Sequence, residues 1–133
     1  VANAQRINEL NRLKFSTNPY NVNSMTIACG KASLANQAYV DECVQKVIVT
    51  RTWISQKLTD LGFEVLPSST NFIFVRHPKL AGQDFYQQLK KKNILIRWFD
   101  QERIREFCRV SIGTDEEMTK FLHATIDIIE RVN

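Results

Sequence analysis

At 133 residues, 44% of them hydrophobic and 24% charged, the chain has room for one core, split at most over two lobes, and is small for a complete catalytic domain. Its net charge of +4 is spread along the sequence apart from Lys90-Lys91-Lys92 and the segment 103–109, without the dense basic and aromatic stripe of a nucleic-acid reader. No apolar run approaches the roughly 20 residues that cross a bilayer, and 4 Gly and 3 Pro argue against long disordered linkers.

The opening VANAQRINEL lacks the layout of a signal peptide and reads as a chain entered in mid-fold. From Ala2 to Leu13, the spacing of Ile7, Leu10 and Leu13 predicts a helix. The stretch KFSTNPYNVNSM is expected to break it, because Pro19 disfavours helix at Asn18 and the asparagines bond to a turning backbone. Ser24 to Leu34 predicts a helix with small residues on one face, suited to close packing. A long helix starts near Ala35 or Asn36, with Val40, Cys43, Val44, Val47, Thr50, Ile54, Leu58 and Leu61 recurring at three and four, and Gly62 stops it.

Beyond Gly62 the pattern changes. Phe63 to Leu66 predicts a short strand, PSST a turn, and Asn71 to Arg76 a second strand. AGQDFYQQLKKKN predicts a helix with Phe85, Tyr86 and Leu89 on one side. ILIRWF and CRVSI predict the third and fourth strands. Thr114 with Glu117 three residues on is a capping-box signature for a last helix, whose buried stripe is Phe121, Leu122, Thr125, Ile128 and Ile129. The expected class is therefore α+β: a helical part over 1–60, and a β-β-α-β-β-α unit with a short, mostly antiparallel sheet over 61–133. The helical part lacks a sheet of its own, and its helices look like pieces of something larger.

Two arginines stand out chemically. Arg97 ends the strand NILIR and Arg109 opens the strand CRVSIGT; if these strands pair, both guanidiniums reach one end of the sheet. A guanidinium keeps its charge, so each must meet water, a local acid such as Asp100, Glu102 or Glu106, or a ligand anion held by forked bonds. Asn71, after Ser68, Ser69 and Thr70, either orders the turn or faces a ligand. His77 and His123 lie near no acid or nucleophile at a suggestive spacing and read as surface or packing residues. Cys29, Cys43 and Cys108 make no metal pattern with them and read as reduced thiols of a cytosolic protein. No nucleophilic triad, P-loop, G-x-G-x-x-G or H-E-x-x-H is present. The visible chemistry is anion holding.

Four motifs in order carry a resemblance: NPYNVNSMTIACGKASL, LGFEVLPSSTNFIFVR, LKKKNILIR and CRVSIGTDEEMTKFL. Together they resemble the C-terminal part of the histidinol-phosphate aminotransferase family, fold-type I enzymes that use pyridoxal phosphate, and the likeness runs from about residue 1 to the end. The resemblance implies that residues 61–133 are the small domain, preceded by large-domain helices and the linking helix. It implies that Arg109 grips the substrate's carboxylate or phosphate and that Arg97 assists. Asn71 is a candidate site contact, and Thr17, Asn18, Tyr20 and Asn21 are candidate contacts across the interface of a homodimer.

The family's cofactor lysine, the aspartate on the pyridine nitrogen and most of the phosphate cup have no counterpart here. Lys14 and Lys31 are set in the wrong context. The chain is therefore expected to be a truncated portion, cut shortly after that lysine. It would hold no catalytic residue, bind no cofactor or metal, and be inactive by itself. The implied parent is a cytoplasmic transaminase of histidine biosynthesis with pyridoxal phosphate as electron sink. It would take a small acidic substrate, with 2-oxoglutarate and glutamate as the amino partner, and neither nucleic acid nor membrane. An aromatic amino-acid aminotransferase, a phosphothreonine-type decarboxylase and a free-standing anion-binding α+β module are the alternatives.

Overall fold

A computed structural model describes residues 3–17, 20 and 22–132. The chain divides into two units, 1–40 and 41–133. The first holds α1 (Ala4–Thr17) and α2 (Ser24–Ala35), and α3 (Gln37–Asp60) begins at its end. Asn3 and Asn23 cap the first two helices, their Oδ1 atoms accepting from Arg6 and Thr26 N–H at 2.9 Å. Neither helix buries a residue. Helix α1 runs four residues beyond the expected stop at Leu13. The restriction comes from Pro19 and acts on its neighbour, so Lys14 to Thr17 remain free to coil, and Ser16 Oγ donates back to Leu13 O at 3.1 Å.

In the second unit the strands are β1 (Glu64–Val65), β2 (Phe72–Arg76), β3 (Arg97–Trp98) and β4 (Cys108–Ser111), with α4 (Gly82–Lys91) and α5 (Asp115–Ile129) between and after them. They form one antiparallel sheet of order β1-β2-β4-β3. Alternation along the strands decides which face is buried. Ile73 opposes Val110 and Val75 opposes Cys108, and all four are buried. They share a core with Ile54 and Leu58 of α3, Phe85 and Leu89 of α4, and Met118, Phe121, Leu122, Ile128 and Ile129 of α5. Each fully buried Ile or Leu contributes about 1.5–3 kcal/mol.

Only the C-terminal half of α3 shares in this. Thr50, Ile54 and Leu58 are buried, whereas Val44, in the same apolar stripe, stays 48% exposed. Thr50 donates to Asp115 Oδ1 at 2.5 Å, tying α3 to the start of α5. Arg51 donates to Thr70 O, tying α3 to the turn before β2.

The helix ends follow local chemistry. Gly62, at φ 87°, closes α3: its N–H bonds Thr59 O at 2.9 Å and Phe63 N–H bonds Leu58 O at 3.0 Å, a Schellman motif. The end of α4 repeats the pattern, with Asn93 at φ 60° and Ile94 N–H bonded to Leu89 O at 3.0 Å. That bond explains why the third strand is shorter than the expected ILIRWF. Ile94 is still satisfying a helix carbonyl, and ladder pairing begins only at Arg97. The expected capping box of α5 is formed, Thr114 Oγ1 accepting from Glu117 N–H and Glu117 Oε2 from Thr114 N–H. Cys108 is buried and its Sγ donates to Gly82 O at 3.1 Å; burial pushes the thiol up to about 12.

His77 is a packing residue. Its ring tilts against Phe63 at 4.9 Å, and its Nδ1 accepts from Lys79 N–H at 3.3 Å. Burial holds it below the ordinary histidine value, against an opposing backbone hydrogen bond to Leu61.

Three outcomes follow from these contacts. A methyl at Gly82 would lie 2.6 Å from Arg105 O and 2.9 Å from Glu106 O, both backbone. Gly82→Ala should therefore cost about 1–3 kcal/mol in urea unfolding. Asn93→Gly, which relieves a left-handed side chain, should raise stability by up to about 1 kcal/mol in the same assay. His77 should titrate below about 6.5 by NMR. Since its folded form favours the neutral ring, its contribution to stability is complete above that pH and lost as pH falls through the lower folded value.

Candidate functional site

The site is the sheet face opposite the core. Arg97 of β3 and Arg109 of β4 are direct register partners, and Phe74 of β2 opposes Arg109 on its other side. Directly opposed residues of an antiparallel sheet project to one face, so Phe74, Arg109 and Arg97 form a single row across three strands. That row alternates with the buried Cys108 and Val110. The structure thus brings the two candidate arginines together, Arg109 half-buried and Arg97 exposed.

Neither is spent on a local acid. Among the described residues, the ion pairs within 4.0 Å are Lys46–Glu42, Arg76–Glu64, Lys92–Asp127 and Lys120–Glu116. Asp100, Glu102 and Glu106 pair with neither arginine. Arg109 Nε is buried and makes no hydrogen bond among the described residues. Arg76, on the same face, is the contrast: its Nε donates to Glu64 Oε2 at 2.7 Å, across a register pair of β1 and β2. One arginine of the face is structural, and two keep their donors for something else.

The floor beneath them is aromatic. The Arg109 guanidinium carbon lies 5.3 Å from the Phe72 ring and 5.9 Å from Phe99; that of Arg97 lies 5.3 Å from Phe99. Phe107 stacks on Phe74 at 5.6 Å and carries Arg76 at 5.1 Å. Sequence reasoning missed these rings. The signal was there for Phe72 and Phe74, which alternate with the buried Ile73 and Val75 and so share a face with Arg76. Phe99 and Phe107 stand two residues from Arg97 and Arg109, the spacing that returns to the same face of an extended chain.

The other candidates fall elsewhere. Asn71 sits at the sheet end, its carbonyl accepting from Ile112 N–H at 2.8 Å, in register with the core row and not with the arginine row. The turn before it is held by hydroxyls: Ser68 Oγ and Thr70 Oγ1 donate to Phe72 O at 2.5 and 3.1 Å. Thr17 ends α1, and Tyr20 is 82% exposed; both belong to the first unit. Asn18 and Asn21 lie outside the described residues. His123 is exposed on α5. Among the described residues, no cluster of His, Cys, Asp or Glu could hold a metal ion and no helix is long and apolar enough to cross a membrane. No lysine lies on any of the four strands.

A model of the family "Aminotransferase class I and II" matches residues 2–124. The histidinol-phosphate aminotransferase of Chromohalobacter salexigens is 40% identical over 124 residues, 93% of this chain and 35% of that protein. The enzyme of the same name from Brachyspira hyodysenteriae is 40% identical over 130 residues, 98% of this chain and 37% of that protein. Among solved structures, the Sinorhizobium meliloti histidinol-phosphate aminotransferase in complex with pyridoxal-5'-phosphate superposes with a TM-score of 0.73 at 26% identity, over 87% of this chain and 32% of that one. The chain spans about a third of the length of the curated relatives it matches.

Proposed function

Because the chain belongs to the class I and II aminotransferases, we propose that it carries the substrate-acid grip of a pyridoxal-phosphate-dependent histidinol-phosphate transaminase. The observation behind this reading is the unpaired couple Arg97 and Arg109, on one face and in one register row. Two like charges directly opposed on neighbouring strands cost stability, and nothing in the fold requires them there. A phosphate or carboxylate converts that cost into charge-assisted, forked hydrogen bonds. A transaminase must seat two acids in turn, the phosphate of histidinol phosphate and the carboxylates of glutamate or 2-oxoglutarate, and paired guanidiniums suit both.

In this chain the sheet bearing the arginines carries no lysine, and Lys14 and Lys31 stand on α1 and α2. Its own contribution is binding and alignment: holding the acid fixes where the substrate amine lies, and a fixed reactant loses less entropy on reaction. Location in the cytoplasm and a homodimer are part of the same reading, with Thr17 and Tyr20 reaching the neighbouring subunit; Asn18 and Asn21 would join them. The apolar side chains exposed in the first unit, Leu10, Leu13, Phe15, Met25 and Leu34, support a place in a larger assembly over a free-standing anion-binding module.

In a complete transaminase carrying this chain, Arg109→Ala should raise KM for histidinol phosphate roughly 10- to 100-fold, the value of charged hydrogen bonds. Arg97→Lys should not restore what Arg97→Ala loses, because an ammonium supplies charge without the fork. Steady-state kinetics over a panel of acidic amino donors reads both. Absence of any turnover with histidinol phosphate would remove the substrate assignment, and unchanged KM in both variants would remove the arginines' role.

A further inference from the structure

We propose that Phe99 is a positioning residue that holds Arg97 and Arg109 together in the orientation that receives an anion. The inference rests on the acid-holding reading above and adds to it the group that keeps two like charges side by side before any anion arrives. Among the described residues, Phe99 is the one ring that meets both guanidiniums, at 5.3 Å from Arg97 and 5.9 Å from Arg109, within the range where a cation is attracted to an aromatic face. Phe72 meets only Arg109 and Phe107 only Arg76.

Phe99 is itself held in place. Phe74, from the middle of the same row, lies 6.3 Å from it. The loop it opens is tied back by Trp98 Nε1 donating to Arg105 O at 2.6 Å, and by Phe107 N–H bonding Ile104 O at 2.9 Å. Gly82 at the start of α4 approaches the same loop closely enough that a Cβ would strike the Arg105 and Glu106 backbone. A ring seated beside Phe74, in a loop tied back to α4, thus sets the placement of two flexible side chains. With that placement made in advance, less side-chain entropy is lost on capture.

The test uses a complete transaminase carrying this chain, with inorganic phosphate as the probe and NMR of its labelled arginines as the readout. In the unaltered chain the Cδ protons of Arg97 and Arg109 should be shifted upfield by the ring, and phosphate should perturb the Nε–H signals of both. Phe99→Leu should abolish the upfield shift at Arg97 and weaken phosphate binding about three- to tenfold, while Arg109 keeps the part of its shift that comes from Phe72. Phe99→Tyr, which keeps the ring face, should retain both, and it guards against a loss caused by misfolding. A ring shift that persists at Arg97 in Phe99→Leu, or a phosphate isotherm matching the unaltered chain's, would overturn the positioning role and leave the acid-holding reading standing. If the unaltered chain shows the ring shifts but phosphate leaves both arginines untouched, the acid-holding reading fails and the proposal falls with it.

Discussion

The arrangement on which the rest depends is the direct register pairing of Arg97 with Arg109 across the β3–β4 ladder, which sets two like charges on one face. Coulomb repulsion between them opposes that arrangement, and the fold does not relieve it with a carboxylate, as it does for Arg76 with Glu64. Rings relieve part of it, because a quadrupole attracts a cation without consuming its hydrogen-bond donors. The distinction matters for function. A carboxylate partner would compete with any acidic ligand for the same N–H groups, whereas a phenyl ring stabilises the charge and leaves the fork open. The face therefore keeps those donors unspent on carboxylates among the described residues, in a form compatible with folding.

The division of labour between the sheet's faces follows from strict alternation. One set of positions, Ile73, Val75, Cys108 and Val110, is given wholly to the helices, and the interleaved set is given to arginine and phenylalanine. A slip of one residue in the β2–β4 register would carry Arg109 into the core and Val110 out of it. The penalty for burying an unpaired guanidinium far exceeds that for exposing a valine, so the same hydrophobic pattern that builds the core also aims the arginines. Fold and site are specified by one set of residues.

Much of this was legible beforehand because it was local. Gly62 and Thr114 announce helix ends through backbone chemistry that operates within a few residues, and both do what their types dictate. Arg97 and Arg109 could be placed at one end of a sheet because each stands in a short apolar run. What escaped was set by distant partners. The third strand is cut short by Ile94 N–H answering Leu89 of the preceding helix, and Val44 of the α3 stripe is left exposed, which no periodicity reveals. Asn71 reads from sequence as a turn residue or a ligand contact; what the pattern does not announce is that its carbonyl bonds Ile112 N–H at the end of the β2–β4 ladder. Phe99 looked like the tail of a strand; its importance appears only when β3 and β4 are laid side by side.

The route from core to site also runs through backbone and not only through side chains. Gly82 lets the first turn of α4 lie directly against Arg105 and Glu106, and its carbonyl takes the Cys108 thiol, the residue next to Arg109. One end of the 99–107 loop is thereby pinned to a helix that buries Phe85 and Leu89, and the other is fixed by β3. Loops ordinarily tolerate motion because few contacts restrain them. This one carries Phe99, which meets Arg97 and Arg109, and Phe107, which meets Arg76, and it is restrained by the close approach of Gly82 and by the Trp98 indole bonded to Arg105 O.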